Sequence, residues 1–335
     1  MTAPSGRTAH TPAVFEDAPA KGIAFILVAM AAISVNDMLM KLLSGGYPLH
    51  QMVFVRTAIG IFFSLAILQF EGGFRMLRTD RPWLHLLRAL CIVFANMAFF
   101  AAIAVIPLAD ATALFFVAPL FITLLSIPLL GEKVGPRRVA AVVVGFLGVL
   151  LMLRPADGAE AIPSRWILAL PIAAAFLYAC MQILTRKLGV KSKASAMALY
   201  IQAVFIVVSL GFWAIAGDGR YAEGVEDQSL VFLLRAWVWP TAEDWPLFIV
   251  LGVSSAIIGY SLSQAYRSAN VAAVAPFEYA ALPLSIFWGW TVFGHLPGPW
   301  VMAGIALIAG AGIYVFARER ARKRPLASGR PQRRL

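Results

Sequence analysis

Long apolar runs, separated by short gaps rich in glycine and proline, occupy most of this 335-residue chain. A helix needs about 20 mostly apolar residues to cross the hydrocarbon layer of a bilayer. We predict ten such helices, at 22–43, 49–69, 83–106, 108–130, 136–153, 166–185, 195–216, 245–266, 271–293 and 299–317. The expected fold class is therefore all-α and integral to a membrane. Composition agrees, because 61% of the residues are hydrophobic and only 13% are charged.

The positive charges are distributed unevenly along the chain. If the chain crosses the membrane ten times from a cytoplasmic amino terminus, 21 of the 28 lysines and arginines lie in cytoplasmic segments and four in outer segments. Such a bias sets the orientation of membrane proteins. We therefore expect both termini in the cytoplasm of a bacterial-type cell, with a disordered tail at 1–20 and a basic tail at 319–335. The net charge of +11 then reflects orientation in the inner membrane bilayer, and we expect no nucleic-acid partner.

Two stretches of the chain resemble each other, 163 residues apart. Residues 130–136 end the fourth predicted helix and open the fifth, and residues 293–299 do the same for the ninth and tenth. Each half, 21–155 and 164–318, then holds five helices, and an odd number places the two halves upside down relative to each other. Inverted repeats of this kind are typical of secondary transporters, which bind their solute near the midplane between the halves.

The longest predicted loop, 217–244, lies outside the cell in this topology. Its apolar stretch 230–234 is too short to cross a bilayer, and Trp237 and Trp239 follow it. Tryptophan is enriched at the membrane–water interface. We predict a short helix here that lies on the membrane surface.

Several motifs resemble those of a known family. The most telling are Ile106-Pro107-Leu108-Ala109-Asp110-Ala111-Thr112-Ala113, Ala118-Pro119, Leu130-Gly131-Glu132 and Gly145-Phe146-Leu147-Gly148-Val149. From about Lys21 to Arg318 the chain resembles the EamA transporters of the drug/metabolite transporter superfamily. That resemblance implies ten membrane helices and transport of a small organic molecule. Within the family, importers of vitamins such as riboflavin, carriers of S-adenosylmethionine, and exporters of amino acids or drugs all remain open.

Charged residues inside predicted membrane helices are costly, and each needs a reason. Asp37 and Lys41 lie four residues apart and so share one face of the first helix. One interpretation is a gate or substrate contact that faces a cavity; the other is a structural ion pair between them. We interpret Arg56 in the second helix as an anchor for a substrate carboxylate or phosphate. The alternative is a structural ion pair between Arg56 and Asp37.

Glu278 is a carboxylate within the ninth predicted helix, next to Tyr279 and between Pro276 and Pro283. Proline removes a backbone donor and kinks a helix. Carbonyls freed at membrane depth are tolerated only against protein or a wet cavity. Burial disfavours the charged form of a carboxylate, so Glu278 is a candidate for substrate binding or proton exchange. The alternative is a salt bridge to Arg56 or Lys41.

Polar and aromatic residues at midplane depth form a second set of candidates for binding a planar solute. They are Asn96, Tyr178, Gln182, Tyr200, Gln202, Tyr260, Ser261, Gln264, Trp288 and Trp290. Most single aromatic residues in such helices serve packing alone. Asp110 and Asn270 stand at matching places in the two halves, and we interpret them as helix caps. The glycines at 145, 148, 304, 310 and 312 indicate close helix packing.

The leading hypothesis is a secondary transporter for a small organic solute, and the favoured substrate is a planar heteroaromatic vitamin such as riboflavin. No P-loop is present, so we expect no drive by ATP within this chain, and proton coupling remains open. We expect no cofactor and no metal. A membrane-embedded lipid-modifying enzyme is the alternative of another class, and the scattered positions of the four histidines argue against it.

Overall fold

The computed structural model describes residues 19–79, 81–131, 136–153, 165–188, 194–268 and 275–323. Every element within these ranges is helical, which confirms the predicted all-α fold class. The α-helices are α1 (Pro19–Leu43), α2 (Leu49–Glu71), α3 (Pro82–Ile103), α4 (Leu108–Phe115), α5 (Ala118–Leu130), α6 (Pro136–Met152), α7 (Ala169–Leu188), α8 (Ala194–Ala216), α9 (Gln228–Leu234), α10 (Trp245–Ser268), α11 (Ala281–Phe293) and α12 (Pro299–Lys323). Three 3-10 segments adjoin them: Gly73–Leu77, Arg165–Leu168 and Ala275–Ala280. Residues 1–18 of the predicted first tail and 324–335 of the second lie outside the described residues.

Seven helical stretches in these ranges are long and apolar enough to cross a membrane. They are Ala20–Leu43, Leu49–Phe70, Pro82–Ile103, Leu108–Leu129, Trp166–Thr185, Ala196–Ala216 and Trp245–Leu262. Two shorter apolar helices, Val142–Met152 and Pro299–Tyr314, correspond to the fifth and tenth predicted spans. The first residues of the ninth, 271–274, lie outside the described residues. Seven spans therefore match the sequence, and the full set of ten stays a prediction.

The fourth predicted span is not one continuous helix. It divides into α4 and α5 at Phe116. Here backbone hydrogen bonds join residues three apart, such as Leu120 N–H to Val117 O at 3.0 Å. The cause is Pro119, which has no N–H to donate to the carbonyl four residues earlier, that of Phe115. Residues 275–280 before α11 are likewise 3-10, and there Pro283 cannot donate to the carbonyl of Tyr279.

Helices from the first half of the chain pack mainly against helices from the second half. Helix α1 lies against α10 and α11, and α3 lies against α7 and α8. Helix α2 packs on α8 and α10, α7 packs on α4 and α5, and α6 packs on α12. The main apolar core runs from Leu39 in α1 to Ile308 in α12. A second, smaller cluster that includes Ile26 and Ala265 joins α1 to α10. The centre of the molecule is thus built by both halves together.

Close backbone approach between α6 and α12 depends on two glycines. A Cβ atom added at Gly304 would lie 2.7 Å from the carbonyl oxygen of Gly148 and would overlap the side chain of Met152. A Cβ added at Gly148 would lie 2.9 Å from the carbonyl oxygen of Gly304. The predicted role of these glycines in close packing is therefore confirmed. Gly310 differs, because a Cβ there would meet nothing within 4 Å.

We expect Gly304→Ala to lower the melting temperature of the purified protein, because the added methyl group would meet a backbone oxygen that cannot move alone. Overpacking of this kind costs about 1–3 kcal/mol. Gly310→Ala on the same helix is the matched control, and it should leave the melting temperature unchanged or raise it slightly, since alanine favours a helix. Equal melting temperatures for the two variants would contradict the close approach of α6 and α12.

The α9 segment (217–244) folds back onto the helical bundle. Gln51 of α2 donates to the carbonyl of Val238 at 2.6 Å and accepts from its N–H at 3.1 Å. Ser229 of α9 donates to the carbonyl of Ala101 near the end of α3 at 2.8 Å. The short apolar helix predicted at 230–234 is confirmed as α9, and this segment covers one end of the bundle.

A carboxylate at the end of the α9 segment anchors it to the turn between α1 and α2. The hydroxyl of Tyr47 donates to Asp244 Oδ2 at 2.5 Å, and the hydroxyl of Thr241 donates to the same oxygen at 2.8 Å. These hydrogen bonds, that from Tyr47 first, lower the pKa of Asp244 below its ordinary value. Asp244 therefore stays ionised as the anchor of this turn at neutral pH.

Candidate functional site

Arg56 lies at the meeting point of α1, α2 and α3, and it is buried. Its Nη1 donates to Asn36 Oδ1 at 3.2 Å, and its Nη2 donates to Asn96 Oδ1 at 3.0 Å. Two neutral amide oxygens therefore hold the guanidinium in one orientation. A guanidinium carries five N–H groups, so most of its hydrogen-bonding capacity is not used by these two contacts.

Aromatic rings and one carboxylate complete the surroundings of Arg56. The guanidinium carbon lies 5.1 Å from the ring centre of Phe100 and 5.7 Å from that of Phe205, within the range of cation–π attraction. Asn36 Nδ2 donates to Asp37 Oδ1 at 3.1 Å, so Asn36 bridges the carboxylate and the guanidinium. Asp37 and Arg56 also attract each other electrostatically. The predicted alternative of an Asp37–Arg56 partnership is thus realised through an intervening amide.

The ammonium group of Lys41 does not form a salt bridge with Asp37. It donates to the backbone carbonyls of Ile103 at 2.5 Å and Ile106 at 2.8 Å, at the end of α3. Pro107 explains this contact, because it has no N–H for the carbonyl of Ile103. Lys41 therefore replaces a missing helical hydrogen bond, and it holds the turn between α3 and α4 in place.

A second group of predicted residues meets between α7 and the 275–280 segment. Gln182 Nε2 donates to the hydroxyl oxygen of Tyr178 at 2.7 Å. Glu278 is half-buried and interacts electrostatically with Tyr178 and with Tyr279. Tyr279 is buried, and Gly312 of α12 makes room for its hydroxyl group, since a Cβ there would overlap it. Four of the predicted candidates are therefore gathered at one place.

A row of aromatic rings connects the two groups. Ring centres lie 5.6 Å apart for Phe99 and Phe100, and 5.4 Å apart for Phe99 and Phe115. Phe115 lies 5.4 Å from Tyr178, and Phe116 lies 5.1 Å from Tyr279. These phenylalanines were missed by the sequence analysis. The signal that marks them is the position of Phe115 and Phe116 just before Pro119, where the helix breaks.

The remaining candidates lie elsewhere. Tyr260 is 42% exposed and packs edge-on against Phe25. Trp288 Nε1 donates to Ser34 Oγ at 3.2 Å, one turn of α1 before Asp37. Three others make different contacts: Tyr200 donates to the carbonyl of Leu77, Gln202 donates to Ser64, and Trp290 is 59% exposed.

The interpretation of Asp110 as a helix cap is wrong. The cap position of α4 is Pro107, and no side chain caps this end of the helix. Asp110 lies in the first turn instead, where the helix dipole favours a negative charge. It also attracts Lys41 and His295 electrostatically. Asn270, its predicted counterpart, lies outside the described residues.

Comparison with known proteins gives a consistent assignment. Residues 20–154 match the EamA-like transporter family. The chain is 30% identical over 304 residues to a riboflavin transporter of Rhizobium johnstonii, and the alignment covers 90% of each chain. It is 28% identical to an S-adenosylmethionine uptake transporter of Rickettsia prowazekii, across 89% of this chain and 93% of that one.

The fold of a solved crystal structure agrees as well. That structure is 20% identical, has a TM-score of 0.60, and matches 92% of this chain and 100% of its own. The relatives are carriers of small molecules, which sets aside the lipid-modifying enzyme considered from the sequence. The apolar helices place the chain in a membrane as a multi-pass protein. The chain belongs to the EamA-like transporter family.

Proposed function

We propose that this protein is a secondary transporter that moves a planar heteroaromatic metabolite, riboflavin foremost, across the inner membrane by alternating access. The observation that carries the proposal is the buried Arg56 with its two amides and two aromatic faces. Asp37, Asn96, Tyr178, Gln182, Glu278 and Tyr279 complete the proposed site. A row of rings joins these residues across both halves of the chain.

The pattern of helix packing supports two inverted five-helix repeats. In the two proposed repeats α1 corresponds to α7, and α3 corresponds to α10. The contact of α1 with α10 therefore has the contact of α7 with α3 as its counterpart, and both contacts are extensive. The contacts of α2 with α8 and of α6 with α12 each join two corresponding helices, as the same symmetry requires. The helix breaks before Pro119 and Pro283 also correspond. With an odd number of helices in each proposed half, both termini lie on one side of the membrane. The excess of lysine and arginine in the corresponding segments supports the cytoplasmic side.

The chemistry of the site suits a flat ring system with carbonyl oxygens at its edge. A guanidinium presents its donors in a planar fork that matches such oxygens, and its faces stack on aromatic rings. Asn96 and Gln182 add donors and acceptors, and the phenylalanine row adds apolar faces. The relative named a riboflavin transporter supports this class of solute. S-adenosylmethionine is the second candidate, because its carboxylate also suits Arg56 and a second relative is named for its uptake.

Uptake by a bacterial strain that lacks its own riboflavin carrier tests this proposal. Cells that express the protein should accumulate labelled riboflavin saturably, and excess unlabelled riboflavin should compete. Cells with the empty vector are the control, and labelled S-adenosylmethionine is supplied in parallel. Uptake of S-adenosylmethionine alone would favour the second candidate. Uptake of neither compound above the control would overturn both substrates in the proposal.

A further inference from the structure

A narrow cavity lies beneath α9, on the far side of Asn96 from α1. Its free volume is about 20 Å³, room for about one water molecule. It lies between α2, α3 and α8, and Leu233 of α9 closes it. Its walls are mostly apolar, with three polar side chains among them. The lining residues are Leu49, His50, Val53, Val93, Asn96, Met97, Phe205, Val208, Ser209, Phe212 and Leu233.

His50 is the unusual member of this wall. Its side chain is 5% exposed, and its Nδ1 lies 3.1 Å from the carbonyl oxygen of Leu233. Its ring stacks between Phe212 and Trp237, at 6.0 and 5.9 Å. The other nitrogen, Nε2, has no hydrogen-bond partner in the described part of the chain. Buried polar atoms are nearly always satisfied, so this atom needs an explanation.

The cavity adjoins the proposed binding site. Asn96 lines the cavity and also accepts a hydrogen bond from Arg56 at 3.0 Å. Phe205 lines the cavity and also lies 5.7 Å from the guanidinium. Two residues therefore belong to both places, and a solute that leaves Arg56 toward α9 would pass His50.

A second, more open cavity lies on the other side of Phe212. It is a largely open depression with about 570 Å³ of free volume, and Val208, Phe212 and Leu234 are among its lining residues. Val208 and Phe212 thus line both cavities, whereas Leu233 faces the first and Leu234 the second. Phe212 and the end of α9 therefore form a thin partition between an open space and an enclosed one.

We propose that the cavity beside His50 is the closed form of a second solute-binding subsite, which widens when Phe212 and α9 move and then takes the polar edge of a planar heteroaromatic compound. Because Nδ1–H donates to the carbonyl of Leu233, Nε2 of the neutral ring accepts a hydrogen bond from an N–H or O–H group of the solute. Phe205 and Phe212 supply apolar walls. The proposal rests on the transport function proposed above, since it places this subsite on the path of the transported solute.

Thiol labelling tests whether the cavity opens, whatever the solute is. Ser209 and Ser254 are both buried serines, but only Ser209 lines the cavity. Each is replaced with cysteine in a protein whose native thiols are removed by Cys91→Ala and Cys180→Ala. A charged, membrane-impermeant methanethiosulfonate is applied from the side of the bilayer that carries α9. We expect Ser209→Cys to react at least about tenfold faster than Ser254→Cys, and Ser229→Ala to speed it further by removing a hydrogen bond of the cover. Equal rates for the two cysteines would overturn the opening.

Two variants of His50 test the hydrogen bond itself, with riboflavin as the probe. The amide of asparagine takes the place of Nδ1, and the amide of glutamine takes the place of Nε2. We expect His50→Asn to raise the KM for riboflavin about fivefold, as for loss of one buried hydrogen bond, while His50→Gln stays near the wild type. An unchanged KM in His50→Asn would overturn the role of Nε2. If the wild type carries no riboflavin, the proposed substrate fails, and the labelling rates still decide whether the cavity opens.

Discussion

Transport should fall by about a hundredfold or more when Arg56 is replaced with methionine, since hydrogen bonds to a charged group are worth roughly 1.5–3 kcal/mol each. Methionine fills a similar volume and keeps contact with Phe100 and Phe205, but it donates no hydrogen bond. It also leaves Asn36 and Asn96 without their shared partner. Initial uptake rates of riboflavin, corrected for the amount of protein in the membrane, measure the effect.

Two further variants separate a binding role from a general effect of charge. Arg56→Lys keeps the charge but loses the planar fork of N–H donors. We therefore expect its uptake rate to lie between those of the wild type and Arg56→Met. Arg220→Met removes the same charge from an exposed pair with Asp218, where both side chains are 59% exposed. It should leave uptake unchanged, because such pairs contribute little. Uptake in Arg56→Met at the level of Arg220→Met would contradict the proposed site.

Local sequence patterns predicted the helices well because the membrane imposes a simple rule on them. Apolar length located the seven spans, and the short helix α9 followed from an apolar stretch too short to cross. The break at Phe116 was missed although Pro119 is visible in the sequence. A proline in a membrane helix produces a kink or a break according to its neighbours, and those are set by the fold.

The partners of the charged residues were harder to predict. An ion pair was one of the two interpretations of the spacing of Asp37 and Lys41, and such a pair is worth only a few tenths of a kcal/mol on a helix. Lys41 instead meets two carbonyls that lie more than 60 residues away in sequence. A buried carbonyl without a donor costs more than that pair gains. Tertiary contacts therefore decided the outcome.

Proton coupling is the last property that the site suggests, and Glu278 is its candidate. The residue lies in the 3-10 segment before α11, where it interacts electrostatically with Tyr178 and Tyr279. We expect this carboxylate to exchange a proton during the proposed transport cycle. If each riboflavin moves with one proton, a gradient of one pH unit sustains about a tenfold accumulation.

Glu278→Gln should abolish that accumulation in proteoliposomes and bring the internal concentration to the external one, because glutamine keeps the shape of the side chain but cannot release a proton. Exchange of labelled for unlabelled riboflavin should continue, since this reaction needs no net proton movement. Glu243→Gln, at an exposed acidic residue of the α9 segment, is the matched control and should accumulate riboflavin like the wild type. A Glu278→Gln protein that still accumulates riboflavin tenfold would exclude this carboxylate as the proton carrier, whereas one that loses exchange as well would assign it to solute binding.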